Sequence, residues 1–298
     1  MESALASLIH PNSVDDFFSS YKQNKPFISH QVSDHLLVLK SLPFLHSLES
    51  LLNSWPMPIQ AHLPDVRDEV SSIDTSAKDA QKLFDNGMSL LFNDVQIISP
   101  LLQEWISHLR SDLGLSSLTY GRSLIYATPS GKGTAWHFDQ NINFVLQIHG
   151  KKKWKVAPNK HVANPTVRHT IGTPTDPELM SYLNAPMLDS EPENAQSFDL
   201  VPGSLLFVPR GSWHSTEAEG DALALNFTFS APTWIDLFSA ALRSRLCMSP
   251  EWRETADGVS DPSRRGEAED KFNSLLAEIV QDIPNWEASD ILNATEAE

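Results

Sequence analysis

Hydrophobic positions along the chain change period twice. Through about residue 115 the apolar residues recur at helical spacing. Ser13 is placed to cap a helix with Val14, Phe17, Phe18 and Tyr21 on one side. Lys25 to Ser29 reads as a short extended piece. After Pro43, the residues Phe44, Leu45, Leu48, Leu51, Leu52 and Trp55 predict a helix that opens on a first-turn proline. Thr75 to Asn86 predicts another, stopped by Gly87, and Met88 to Phe92 predicts a strand. Ser99-Pro100 opens an amphipathic helix with Leu101, Leu102, Trp105, Ile106 and Leu109 in its stripe and Gly114 at its end.

From Leu118 to Pro232 the period shortens to two. Strands are predicted over 123–128, 143–149, 153–157, 198–208, 212–217 and 222–229, with turn residues between them. Residues 159–198 are rich in Pro, Asn, Thr and Asp, without periodicity, and read as a long excursion. After Pro232 two helical stripes follow: Trp234, Leu237, Phe238, Ala241 and Leu242, then Phe272, Leu275, Leu276, Ile279 and Val280, with a polar linker over 254–269. The pattern predicts a helical N-terminal part (1–117) whose early strands pack on the core, a β barrel or jelly roll (118–232), and a helical acidic C-terminal part (233–298).

Composition narrows the partners. The 298 residues hold 38 acidic and 22 basic side chains, a formal charge of −16, so general affinity for nucleic acid is not expected. Much of the acid lies in residues 251–298, and it says little about any pocket. No stretch approaches a bilayer span, and Met1 to Leu5 is not the start of a secretory signal. One cysteine, Cys247, cannot form an intrachain disulfide. A cytoplasmic location is the expectation.

Candidate chemistry gathers in Thr134-Ala135-Trp136-His137-Phe138-Asp139. On a strand, residues two apart face one side, so His137 and Asp139 can aim at one point. The same alternation is what any half-exposed strand shows. His214 alters the balance, because a strand through Val208 and a Pro209-Arg210-Gly211 turn would bring it to a barrel mouth. Two imidazoles and one carboxylate on one face of a metal form the usual site of non-haem Fe(II) oxygenases. His149, His161 and His169 are weaker candidates. His10, His30, His35, His46, His62 and His108 read as structural or solvated.

The segments TAWHFDQNINFVLQIHGKKKWKVAP (134–158), GSLLFVPRGSWHSTEA and LALNFTFSAP resemble the JmjC-type cupin 2-oxoglutarate oxygenases, among them the asparaginyl and ribosomal-protein hydroxylases. The resemblance spans about residues 88–232 and implies a double-stranded β-helix. It also implies a role for each matching residue. His137, Asp139 and His214 match the Fe(II) ligands, and Thr134 matches the hydroxyl that binds a carboxylate of 2-oxoglutarate. Lys152 matches the cation that pairs with the distal carboxylate. Asn143, Asn226 and Tyr126 match polar positions facing the co-substrate, with a satisfied core polar group as the other reading of each. On a strand Lys152 shares a face with Trp154, while Lys151, Lys153 and Lys155 share the other; four solvated lysines on an edge strand is the competing reading. Gln147 points inward, toward substrate or toward structural bonding. Trp136 and Trp213 read as packing residues.

The implied activity is hydroxylation of an unactivated C–H bond with Fe(II), 2-oxoglutarate and O2. The expected substrate is a peptide or protein side chain; a free amino acid or small biosynthetic intermediate is the alternative. Lysine demethylation fits less well, and a non-catalytic metal-binding cupin is the reading of another class. The excursion 159–198 is the candidate lid or substrate wall. The C-terminal helices are the candidate means of pairing two chains.

Overall fold

The computed structural model describes residues 3–30, 37–63 and 71–296. Among them the backbone forms eleven strands in one antiparallel network. They are β1 (Phe27–Ser29), β2 (Ile59–His62), β3 (Ser72–Thr75), β4 (Ser89–Phe92), β5 (Tyr120–Thr128), β6 (Gly133–Phe138), β7 (Ile142–Ala157), β8 (His169–Thr170), β9 (Gln196–Leu200), β10 (Leu205–Val208) and β11 (Trp213–Ser230). The order β1-β10-β7-β11-β5-β4-β2-β3 makes the main wall, with β6 attached to β11, β9 to β7, and β8 to β6. The result is the jelly roll expected from the texture of residues 118–232.

Two long strands build both walls. The first half of β7 pairs with β10, and its second half pairs with β9. β11 lies against β7 along nearly its whole length, with the register broken between Glu219 and Leu223. Gly150 sits at the matching bend of β7. Its φ is +66°, and a Cβ there would lie 2.1 Å from the Asp221 carbonyl oxygen. The sequence pattern took this glycine as the end of one strand; it is instead an irregularity inside a continuous one, where glycine relieves the clash of two backbones.

Period-2 alternation then divides each strand's side chains between two faces. Phe144, Leu146 and Ile148 of β7, with Leu223, Leu225, Phe227 and Phe229 of β11, join the main core with the N-terminal helices. The helix Pro100–Asp112 is the main lid of this layer. Ser99 caps it by accepting from Leu102 N–H, Pro100 occupies its first turn, and it buries Leu102, Trp105, Ile106 and Leu109. Trp105 stacks on Phe227, and Phe17 contacts Phe144 and Phe207. The opposite face turns into the barrel, where Val145, Trp154, Val156, Leu200, Leu206, Val208 and Ala224 form a second buried cluster.

Several expectations needed adjustment. The N-terminal part also contains β2 and β3, short strands that its helical reading overlooked. The predicted strand 198–208 is two strands separated by a turn, and those at 212–217 and 222–229 are one. The excursion holds β8 and the short helix Pro177–Ser181. The helix Arg265–Asp282 begins inside the stretch read as a linker.

The chain divides into two compact units, one of residues 1–115 with 120–230 and one of residues 116–119 with 231–298. In the second, Thr233 and Asp236 form a reciprocal cap on the helix Trp234–Leu246. Arg245 donates twice to Asp282, at 2.7 and 2.6 Å, tying this helix to Arg265–Asp282. None of the helices is long and apolar enough to cross a membrane among the described residues.

Candidate metal centre

β6 ends at Phe138, so Asp139 lies one residue past the strand that was expected to hold it. Its carboxylate still converges with the two histidines. His214 on β11 stands opposite His137 on β6 in the strand register. Asp139 Oδ2 lies 3.8 Å from His137 Nε2 and 3.6 Å from His214 Nε2. The ligand atoms of all three residues fall within 4.8 Å of one another, the one such cluster among the described residues.

Each imidazole is oriented by a carbonyl two residues before it, on β6 for His137 and in the turn leading into β11 for His214. His137 Nδ1 donates to the Ala135 carbonyl at 2.7 Å, and His214 Nδ1 donates to the Ser212 carbonyl at 2.9 Å. A carbonyl only accepts, so both rings carry their proton on Nδ1 and turn the Nε2 lone pair to the shared point. That is the neutral form a metal requires, held in the way metal-bound histidines usually are. Both rings are 4% exposed. Burial, followed by the nearby His137, lowers the His214 pKa to about 3. Burial alone would raise the Asp139 carboxyl, but His137, His214 and Arg168, with the Asn143 amide, bring it below the ordinary carboxylate value. At neutral pH the set therefore presents a neutral His214 and an anionic Asp139 oxygen.

The flanking aromatics hold the ligands from the side away from the cleft. Phe138 and Trp213 meet edge to face at 4.7 Å, and Val162 and Leu179 of the excursion pack with them. Trp213 is thus a packing residue, as expected, and Trp136 packs against the same cluster. Inside the cleft Trp154 stacks on His214 at 5.7 Å.

One cleft contains every residue that the resemblance matched to the metal or the co-substrate. Tyr126, Thr134, His137, Asp139, Asn143, Lys152, His214 and Asn226 line it, joined by Trp154, Thr216 and Ala224. Lys152 is 4% exposed, whereas Lys151 and Lys153 are exposed, so the alternation read along the lysine run holds. Its ammonium donates to Thr128 Oγ1 at 3.0 Å and lies 5.7 Å from the centre of the Tyr126 ring. Thr134 and Thr216 join hydroxyls at 2.9 Å. Thr228 donates to Asn143 Oδ1 at 2.8 Å, which turns the Asn143 amide nitrogen toward Asp139 Oδ2 at 3.5 Å. Asn226 Oδ1 and Trp154 Nε1 are buried in the cleft without a hydrogen-bond partner. Buried polar atoms are normally satisfied; Trp154 Nε1 is a donor and, beside the Lys152 ammonium, suits an anionic ligand, whereas Asn226 Oδ1 is an acceptor that calls for a donor.

The other histidines do not join the site. His149 Nε2 contacts the Leu45 carbonyl at 2.7 Å, His161 donates to the Pro186 carbonyl, and His169 packs on Phe138 and Trp213. His30 meets the Ser204 hydroxyl at 3.1 Å, and His35 lies outside the described residues. Gln147 donates to the His149 carbonyl at 2.7 Å and is structural rather than part of the cleft. The sequence reading missed Thr128, Thr216 and Arg168. The first two share strand faces with Tyr126 and His214, so the period-2 rule would have found them. Arg168 Nε lies 3.3 Å from Asp139 Oδ1, and no local pattern announced it.

A jelly-roll barrel with two histidines and one carboxylate converging at its mouth belongs to the metal-binding cupin class. Residues 103–237 match the family described as "JmjC domain". An uncharacterised protein YxbC of Bacillus subtilis is 31% identical over 288 residues, which cover 95% of this chain and 87% of that one. The chain belongs to the JmjC family. It is also 29% identical to ribosomal oxygenase 1 of Rattus norvegicus over 169 residues, 55% of this chain and 25% of the relative. The chain is 24% identical over 242 residues to the "bifunctional lysine-specific demethylase and histidyl-hydroxylase NO66" of Drosophila grimshawi, 76% of this chain and 30% of the relative. It thus spans a quarter to a third of the length of these two. In fold it is similar to ycfD of Escherichia coli, with a TM-score of 0.56, 18% identity, and coverage of 90% of this chain and 68% of that one. A structure of YcfD in complex with cobalt and 2-oxoglutarate aligns with a TM-score of 0.54 and 17% identity, covering 89% of this chain and 67% of that one.

Proposed function

We propose that this protein is an Fe(II)- and 2-oxoglutarate-dependent oxygenase that hydroxylates an unactivated C–H bond on a peptide or protein side chain. The observation that carries the reading is the convergence of His137, Asp139 and His214 in one cleft with the buried cation of Lys152. The donor set fits Fe(II), being two imidazole nitrogens and one carboxylate with the cleft side open. The relatives named as a ribosomal oxygenase and a histidyl-hydroxylase support a protein substrate over a small molecule.

When bound, metal and co-substrate supply the oxidising chemistry: one O2 converts 2-oxoglutarate to succinate and CO2 and a substrate C–H to C–OH. The chain's own residues bind and orient. His137, Asp139 and His214 hold the metal. Lys152 pairs with the distal carboxylate of the co-substrate, as a point charge does deep in a wall. Thr134 offers its hydroxyl to a carboxylate, and Tyr126, Asn143 and Asn226 supply the surrounding polar contacts. Phe138 and Trp213 keep water from the back of the histidines.

Purified protein incubated with Fe(II), 2-oxoglutarate and candidate peptides tests the proposal. Succinate release and a product heavier by one oxygen atom are expected. A chain that binds metal yet releases no succinate with any substrate, even uncoupled, would be the non-catalytic cupin module instead. A product found only on a free amino acid would establish the small-molecule reading. We extend the proposal to a cytoplasmic location and to pairing of two chains through residues 233–298. Trp234 and Ile235, which are 78% and 67% exposed, support the pairing; a monomer in light scattering would remove that part alone.

A further inference from the structure

Residues 159–198 were expected to act as a lid or substrate wall, yet one side chain of this excursion reaches the metal centre itself. Arg168, 23% exposed, places Nε 3.3 Å from Asp139 Oδ1. The two carboxylate oxygens therefore face different partners, since Oδ2 is the one turned to both imidazoles.

The approach of Arg168 is built into the surrounding turns. Arg210, in the turn before His214, donates from Nε and Nη2 to the Pro165 carbonyl at 3.2 and 2.8 Å. Gly211 has a φ of +77°, and a Cβ there would lie 2.7 Å from Pro165 Cδ. Gly211 N–H in turn donates to the Asp139 carbonyl at 2.8 Å. Farther along, β8 pairs with β6, setting Thr170 opposite His137 and His169 opposite Phe138. Thr166, Glu178 and Tyr182 close the excursion on itself through hydroxyl hydrogen bonds. The stretch carrying Arg168 is thus fastened at residue 165 and again at residues 169–170, three and one residues from the arginine.

We infer that Arg168 is a positioning residue that commits one oxygen of Asp139 and so restricts the carboxylate to offering a single oxygen to the metal. The inference rests on the metal-centre reading above. Its chemical reason is coordination number. A carboxylate free to turn can give both oxygens to one metal, and a second carboxylate oxygen would take a position needed by a chelating co-substrate or by O2. Guanidinium is suited to the task because it is always charged, and its contact with Asp139 Oδ1 is an ion pair at 3.3 Å rather than an aligned hydrogen bond. A relay partner of this kind normally accounts for about 10- to 100-fold in metal affinity.

The test uses metal-free full-length protein titrated with Co(II), followed by visible absorption, which reports coordination number without turnover. Arg168→Gln is expected to weaken Co(II) binding about 10- to 100-fold and to change the intensity of the metal-centred bands. Arg168→Lys, which keeps charge without the fork, is expected to recover part of the affinity but not the wild-type spectrum. Melting curves of the metal-free variants show that each is folded. Should Arg168→Gln fail to fold, Arg168→Lys carries the test alone. Wild-type affinity together with a wild-type spectrum in the folded variant overturns the role of Arg168. Failure of the unaltered protein to bind Co(II) overturns the metal-centre reading instead, so the two failures are distinguishable.

Discussion

Strands β7 and β11 carry different chemistry on opposite sides of one backbone. Along one side run Phe144, Leu146, Leu225, Phe227 and Phe229, sealed against the N-terminal helices. Along the other run Asn143, Lys152, His214, Thr216 and Asn226, lining the cleft. Neighbours in sequence thus serve different ends: Asn226 faces the cleft, and Phe227 is in the main core. The difference teaches how a barrel can hold a buried cation and a buried carboxylate. The polar face costs stability through desolvation, and the apolar face offsets that cost in the same residues' neighbours. The two faces should therefore fail separately.

The widest separation comes from the ligands. Asp139→Ala or His214→Ala should abolish succinate release and metal retention, measured by elemental analysis, while leaving the chemical melt of the metal-free protein near wild type. A chelator should do the same to unaltered protein, reversibly. Phe227→Ala should do the reverse, costing about 3–5 kcal/mol in urea unfolding while the remaining folded fraction keeps its requirement for 2-oxoglutarate. Lys152→Ala should raise that requirement about 10- to 100-fold, because hydrogen bonds to charged groups contribute roughly 1.5–3 kcal/mol. A Phe227 variant that altered the co-substrate requirement as strongly would break the comparison.

Acid should act on one face only. The His214 pKa falls from 6.5 to about 3 on folding, chiefly through burial. Below 6.5 the unfolded chain binds a proton that the metal-free folded chain refuses. The stability His214 contributes is thus complete above 6.5 and lost as pH falls toward about 3, at up to about 1.4 kcal/mol per pH unit. Phe227→Ala should shift the pH–stability curve of metal-free protein downward without changing its slope, whereas His214→Gln should flatten it. The smallest effect should come from Lys153→Ala on the outward face, within about 0.5 kcal/mol. That side chain meets Asp199 only at 4.0 Å in an exposed pair.

The cleft was legible because alternation assigns sides within each short stretch, although Lys152 shares a face with Asn143 rather than with Phe144 and Leu146 only because the irregularity at Gly150 shifts the parity of β7. His137, Lys152 and His214 each lie on a strand whose inward residues can be counted, and the lysine run resolves by parity. What escaped depended on distant parts of the chain. β2 and β3 are four residues each; the burial of β2 alternates too briefly to stand out from the surrounding helical spacing, and β3 has no buried residue and no alternation. The single strand over Trp213–Ser230 looked like two because Glu219, Gly220 and Asp221 read as a turn, yet the chain bends there without leaving the sheet. Arg168 was invisible for a different reason. Its position follows from the Arg210–Pro165 tie and the pairing of β8 with β6, and neither has a periodic signature.

The hydrogen bonds from His137 to the Ala135 carbonyl and from His214 to the Ser212 carbonyl each close within three residues of chain. Each histidine therefore carries its own alignment. For His137 the carbonyl lies on β6 itself, and for His214 it lies in the turn that leads directly into β11. Asp139 has no such autonomy, because its outer oxygen answers to a residue twenty-nine positions downstream. The centre thus has a durable half and an adjustable half. On the proposed reading, change in the excursion would retune the metal while the imidazoles stay where they are.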